Sequence, residues 1–225
     1  MNELLLFAGI VLIFGVVVSL GRLFGKEGLT AWMAVAIVLA NIAVSKQVDM
    51  FGMSTTLGNV LFASTFLATD ILSESYGLET SKKAVNISML IALIYIVVSQ
   101  LILAFTPNSM DFIQGSMQNI FTISARTTSA SLIMCYIANL VDVYLFEKLK
   151  KLFPKQLWLR NNVCTIICNC TENFAFVLLA FLGIYDFATC FQIALTTSII
   201  EAVIALCDTP FVYMGRKICK REAAL

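Results

Sequence analysis

Histidine does not occur among the 225 residues of this chain. Its absence removes the Ser-His and Cys-His dyads of nucleophilic catalysis and the H-E-x-x-H zinc helix. A G-x-S-x-G elbow is missing, and so is the Walker A loop that cradles phosphates, which excludes ATP hydrolysis by that route. Asp142 and Asp208 suggest the aspartate pair of an intramembrane protease. However, the glycine-rich setting of such a pair is absent around Asp208 (ALCDTPF). The chain therefore reads as a non-enzyme. Charge is also scarce: 13 % of the residues are charged, against about 25 % in soluble domains.

Apolar residues take the place of charge. They make up 60 % of the chain, and the mean hydropathy is +0.90. They fall in runs without any charge, at 4–20, 29–45, 50–69 and 84–108. Each run is close to the ~20 residues that cross ~30 Å of hydrocarbon as a helix. The first lacks a basic n-region and a small-residue cleavage site, so it reads as a permanent helix rather than a signal peptide. The fold class is an all-α polytopic membrane helix bundle. Seven spans are expected, at 3–23, 30–48, 58–76, 83–105, 125–145, 162–183 and 187–213.

Seven cysteines, six of them in apolar runs (135, 164, 168, 170, 190 and 207) and Cys219 in the basic tail, read as packing residues. Cys164, Cys168 and Cys170 match no zinc spacing, so neither metal nor cofactor is expected.

Basic residues give the orientation. Thirteen of the 15 Lys and Arg follow the first, third, fifth and seventh spans, on alternate sides. The remaining two are Lys46 and Arg126. The positive-inside rule then predicts an outside N-terminus and a cytoplasmic C-terminus. Dispersed over short loops, these cations form no nucleic-acid surface. Between the second and third spans, residues 47–57 (QVDMFGMSTTL) read as a short hairpin or a dip into the protein. Residues 107–124 read as an interfacial helix or a lid.

The residues that carry chemistry are the acids inside the spans: Asp70, Glu74, Asp142, Glu172, Glu201 and Asp208. Each costs at least about 2.5 kcal/mol at a lipid-facing central position, so all should face the interior. Phe62, Phe66, Asp70 and Glu74 recur every four residues and share one helical face. Asn169, Glu172 and Asn173 form a stripe on the sixth span, Glu201 and Asp208 lie on the seventh, and Asn139 pairs with Asp142 on the fifth. Asn41 and Ser45 do so on the second. Such an interior suits a flat, donor-rich solute, with rings to stack on and carboxylates to accept N–H groups.

Several motifs resemble one known family. They are residues 41–46 (NIAVSK), 66–77 (FLATDILSESYG) followed by Ser81 to Lys83, 126–144 (RTTSASLIMCYIANLVDVY), 158–162 (WLRNN) and 208–213 (DTPFVY). In this order they are similar to the queuosine precursor transporters, also described as vitamin-uptake-like or VUT proteins, over residues 30–215. The resemblance implies a six-helix core (29–225) that imports a 7-deazaguanine base such as preQ0, preQ1 or queuine across the bacterial plasma membrane for tRNA modification. Residues 1–28 then form an additional transmembrane helix. Glu172 stands where the family usually has aspartate, and Glu201 where lysine is common.

On this reading Asp70 and Glu74 accept the edge of the base and Phe66 stacks on it, with Phe62 on the same face. Asn41, Asn169, Glu172 and Glu201 complete the substrate-binding set. Lys46, Arg126, Asn139, Asp142 and Asp208 gate or join helices. The partners expected are the base and the lipid bilayer; a homodimer is left open. Alternatives are a substrate-binding subunit of an ATP-driven vitamin importer and a non-transporting scaffold.

Overall fold

Hydrocarbon leaves backbone groups no partner outside their own segment, so long apolar runs must close their hydrogen bonds as helices. The computed structural model, which describes residues 1–43, 46–50, 53–121, 125–183 and 186–222, is an all-α membrane helix bundle. Its helices are α1 (Asn2–Ala43), α2 (Gly58–Ser75), α3 (Leu78–Ala104), α4 (Gln114–Phe121), α5 (Ala125–Leu152), α6 (Leu157–Phe181) and α7 (Phe187–Glu222).

The first two expected spans are the two arms of α1. They meet at Gly25, whose φ of 56° and ψ of −138° break the helix without leaving a loop. Glycine reaches this conformation at no Cβ cost. The second arm stops at Ala43 rather than at residue 48, because Gln47–Met50 (β1) pairs antiparallel with Met53–Thr56 (β2). Of the two readings of residues 47–57, the hairpin is the one observed. It is pinned to the start of α1, where Asn2 Nδ2 donates to the carbonyl of Asp49 at 2.9 Å. The N-terminus and the hairpin therefore share one end of the bundle, the hairpin end. Residues 107–124 contain the eight-residue α4, which has no buried residue.

Toward the opposite, basic end the helices outrun the expected spans. Lys150 and Lys151 sit in the last turn of α5, where cations suit the helix C-terminus. Helix α6 begins five residues early, at Leu157, and α7 runs through Pro210 to Glu222. Asp186 caps α7: the hydroxyl and backbone N–H of Thr189 donate to its carboxylate at 2.6 and 3.2 Å, which holds its pKa below the ordinary value.

Helix α2 is the axis. Fourteen of its 18 residues are buried, and α1, α3, α5 and α7 pack around it. The main core joins Phe14 and Val17 of α1, Phe66 and Ile71 of α2, Phe146 of α5 and Ile204 of α7. The first arm of α1 belongs to this core, with the Phe14 ring 5.4 Å from Phe211 in an edge-on contact. Outward, Leu12, Leu90, Val97, Leu101, Ile137 and Leu206 are exposed. A belt of this kind suits lipid and would be an association hazard in water.

Candidate functional site

Helix α6 carries the polar interior. Arg160, Asn161, Cys164, Thr165, Cys168, Asn169, Glu172 and Asn173 return to one face at spacings of three and four, over roughly 20 Å of axis at 1.5 Å per residue. Helices α2, α5 and α7 bring acids to this face at successive depths. The interior therefore has three levels.

At the hairpin end lies a cavity of about 120 Å³. Asn41 of α1, Asn59 and Phe62 of α2, Cys135 of α5, Glu172, Asn173 and Phe176 of α6 and Glu201 of α7 line it. Asn173 Nδ2 donates to Glu201 Oε2 at 2.7 Å, which fixes that carboxylate. Glu172 is within electrostatic reach of Glu201, and its Oε2 is buried with no hydrogen-bond partner among the described residues. Phe62 stands edge-on to Phe66, with ring centres 5.3 Å apart.

The middle level is closed. Thr69 Oγ1 donates to Asp142 Oδ2 at 3.1 Å, and Cys164 Sγ to Asp142 Oδ1 at 3.0 Å. Asp70 is fully buried, and neither of its oxygens has a hydrogen-bond partner among the described residues. Asn169 is likewise unpartnered at both side-chain atoms. Toward the basic end, Asn161 Nδ2 donates to Asp208 Oδ1 at 2.5 Å and Asn162 Nδ2 to Thr209 Oγ1 at 2.8 Å. The WLRNN and DTPFVY segments are thus two sides of one contact.

At the basic end an ionic cluster joins four helices. Glu74 accepts from the Arg160 guanidinium and forms an ion pair with Arg216, whose Nε lies 3.0 Å from Oε1, and Lys150 Nζ lies 3.7 Å away. Three cations from α5, α6 and α7 converge on one acid of α2. Arg160 also reaches the carbonyls of Phe153 and Pro154, at 3.3 and 3.1 Å, and its guanidinium stands 5.3 Å from the centre of the Phe146 ring.

The candidates named from sequence are thus distributed along the bundle. Asn41, Phe62, Glu172 and Glu201 meet in the cavity. Phe66, Asp70 and Asn169 are buried outside its lining. Asn139 and Asp142 join α5 to α2, with Thr65 Oγ1 3.4 Å from Asn139 Oδ1, and Asp208 joins α7 to α6. Glu74 belongs to the ionic cluster at the basic end, remote from Phe62 on the same helix. Lys46 is exposed beside the hairpin, and the side chain of Arg126 falls outside the described residues. Sequence reading misses Arg160, because a cation between two apolar runs reads as part of a loop; its place inside the WLRNN motif is the available signal. It also misses Asn59, Cys135 and Phe176, which line the cavity without a charge to mark them.

Residues 56–215 match the family described as "Putative vitamin uptake transporter". The chain is 35 % identical over 201 residues to the "Probable queuosine precursor transporter" of Bacillus subtilis (strain 168), covering 88 % of each chain. It is 27 % identical over 161 residues to the "Queuosine precursor transporter" of Escherichia coli (strain K12), covering 68 % of this chain and 67 % of that one. No solved structure matches it.

Proposed function

The chain belongs to the vitamin uptake transporter family, and from that premise we propose that it imports a queuosine precursor, a 7-deazaguanine base such as preQ0, preQ1 or queuine. The observation that carries this reading is the cavity at the hairpin end. There two carboxylates from different helices, Glu172 and Glu201, face amides from Asn41 and Asn173 beside the ring of Phe62. A deazaguanine has a flat face for the ring and adjacent N–H groups that a carboxylate accepts in pairs. Glu172 Oε2 is the acceptor left open for it.

Transport then follows from which end is sealed. The hairpin end is outside, in accord with the distribution of Lys and Arg, and the cavity receives the base from there. The Glu74 cluster closes the cytoplasmic end. Release requires Arg160, Arg216 and Lys150 to part from Glu74 while the cavity closes, so the two ends alternate. The membrane is the bacterial plasma membrane.

The test is complementation. The chain is expressed in a host unable to make or import queuosine precursors, each base is supplied separately, and tRNA is assayed for queuosine. Restoration by at least one base is expected, with a loss of tenfold or more in Glu172→Gln and Glu201→Gln at unchanged membrane abundance. Failure of every base overturns the proposal. Loss of uptake on deleting the host's ATPase subunits would identify a subunit of an ATP-driven importer instead.

A further inference from the structure

Helix α6 turns two sulfurs, Cys164 and Cys168, to one side, one helical turn apart. Asp142 of α5 stands against them, and donor atoms of these three residues lie within 4.8 Å of one another. All three are buried, and none lines the hairpin-end cavity. A further acid, Asp70 of α2, lies outside this close group but near it. Asp70 is within electrostatic reach of Asp142 and Cys168, and both its oxygens are buried without a hydrogen-bond partner among the described residues. A buried carboxylate needs a proton, a donor or a cation. Arg160, the cation within reach of Asp70, is committed to Glu74.

We infer that Asp142, Cys164 and Cys168 form a metal site at the middle of the bundle, taking a borderline-soft divalent cation of the zinc type, with the Asp70 carboxylate beside it as counter-charge. Two sulfur donors and one carboxylate from two helices supply three of the four ligands that such a cation accepts, leaving one position open. Na⁺ and Mg²⁺ prefer all-oxygen shells. Coordination displaces the thiol protons, including the one that Cys164 now directs at the side chain and main-chain carbonyl of Asp142. The spacing of the α6 cysteines alone conceals the site, because the third ligand comes from α5 and the nearby acid from α2. The bound ion would tie α5 to α6 between the outer cavity and the ionic cluster. The inference does not depend on which solute is carried.

Cobalt reads thiolate coordination directly. The full chain, purified in detergent and stripped with chelator, is titrated with Co²⁺, then with Zn²⁺. A thiolate-to-cobalt absorption saturating at one equivalent and abolished by Zn²⁺ is expected. It should vanish in Cys164→Ser/Cys168→Ser and persist in Cys135→Ser and in Cys190→Ser/Cys219→Ser. In Asp70→Asn the dissociation constant should rise about 10–100-fold. Thermal melting without metal checks that each variant is folded. The wild-type titration decides the matter even where a variant fails to fold: no absorption overturns the proposal. Absorption that survives in folded Cys164→Ser/Cys168→Ser overturns it too, as does equal thermal stabilisation by Na⁺ or Mg²⁺.

Discussion

Glutamine at position 74 tests the ionic seal, because it keeps the side chain's size and removes its charge. The three cations around Glu74 are not equivalent. The Arg160 side chain is 1 % exposed and that of Glu74 3 %, whereas Lys150 and Arg216 are 30 % and 31 % exposed. Removing one member of a buried pair costs about 3–5 kcal/mol, since the other charge is stranded. Arg160 keeps its bonds to the carbonyls of Phe153 and Pro154, which places Glu74→Gln near the lower limit, at about 3 kcal/mol. Lys150→Gln and Arg216→Gln should cost only about 0–1 kcal/mol each, because water replaces the lost partner. If the cluster holds the basic end shut, about 3 kcal/mol is roughly a hundredfold in the open population. The assay is maleimide labelling from the cytoplasmic side of a cysteine placed at the buried Ser73, in a background free of the native cysteines. Labelling should rise about a hundredfold in Glu74→Gln and no more than about fivefold in Lys150→Gln or Arg216→Gln. A melting curve separates opening from unfolding. Equal rates in all three folded variants would refute the reasoning.

Other outcomes follow from the same geometry. Gly25→Ala should lower the melting temperature by the equivalent of about 1–2 kcal/mol, because φ at that position is 56°; an unchanged melt would mean that the α1 break relaxes freely. At Gly215 a Cβ would stand 2.5 Å from Ile71 Cδ1, so Gly215→Ala should cost about 1–3 kcal/mol and be largely rescued by Ile71→Ala. Absence of rescue would place the strain elsewhere. A fluorescent protein fused after residue 225 should fold and fluoresce in the cytoplasm, while a periplasmic phosphatase reporter there stays inactive; the reverse pattern would invert the proposed orientation.

The face Phe62–Phe66–Asp70–Glu74 was legible from its four-residue spacing, and α2 is the helix it described. Depth was not legible. Phe62 and Glu74 are about 18 Å apart along the axis, more than a single base spans, so a shared face does not make a shared site. Partners across helices were hidden for a related reason. Arg160 reads as a loop cation because a charge beside a membrane run usually ends it, yet α6 begins at Leu157 and buries it. Glu172 and Glu201 could be named as interior acids from cost alone; that they meet each other depends on how α6 packs on α7, which no local pattern encodes.

The burial of α2 also bears on how the protein is made. By composition α2 is not among the helices apolar enough to cross a bilayer alone. Asp70 near a helix centre carries a cost of about 2.5–3.5 kcal/mol on the insertion scale, and Glu74 lies a turn beyond it. The helix has no lipid-facing side to offset this, since its neighbours cover it. It follows that the translocon cannot release α2 by itself. The hydrophobic arms of α1 must wait beside it, and α3 must follow, so that a polar axis enters the bilayer inside a sleeve of its own sequence. An isolated α2 carrying glycosylation tags should fail to integrate in a microsomal insertion assay, and the segment from α1 to α3 should succeed.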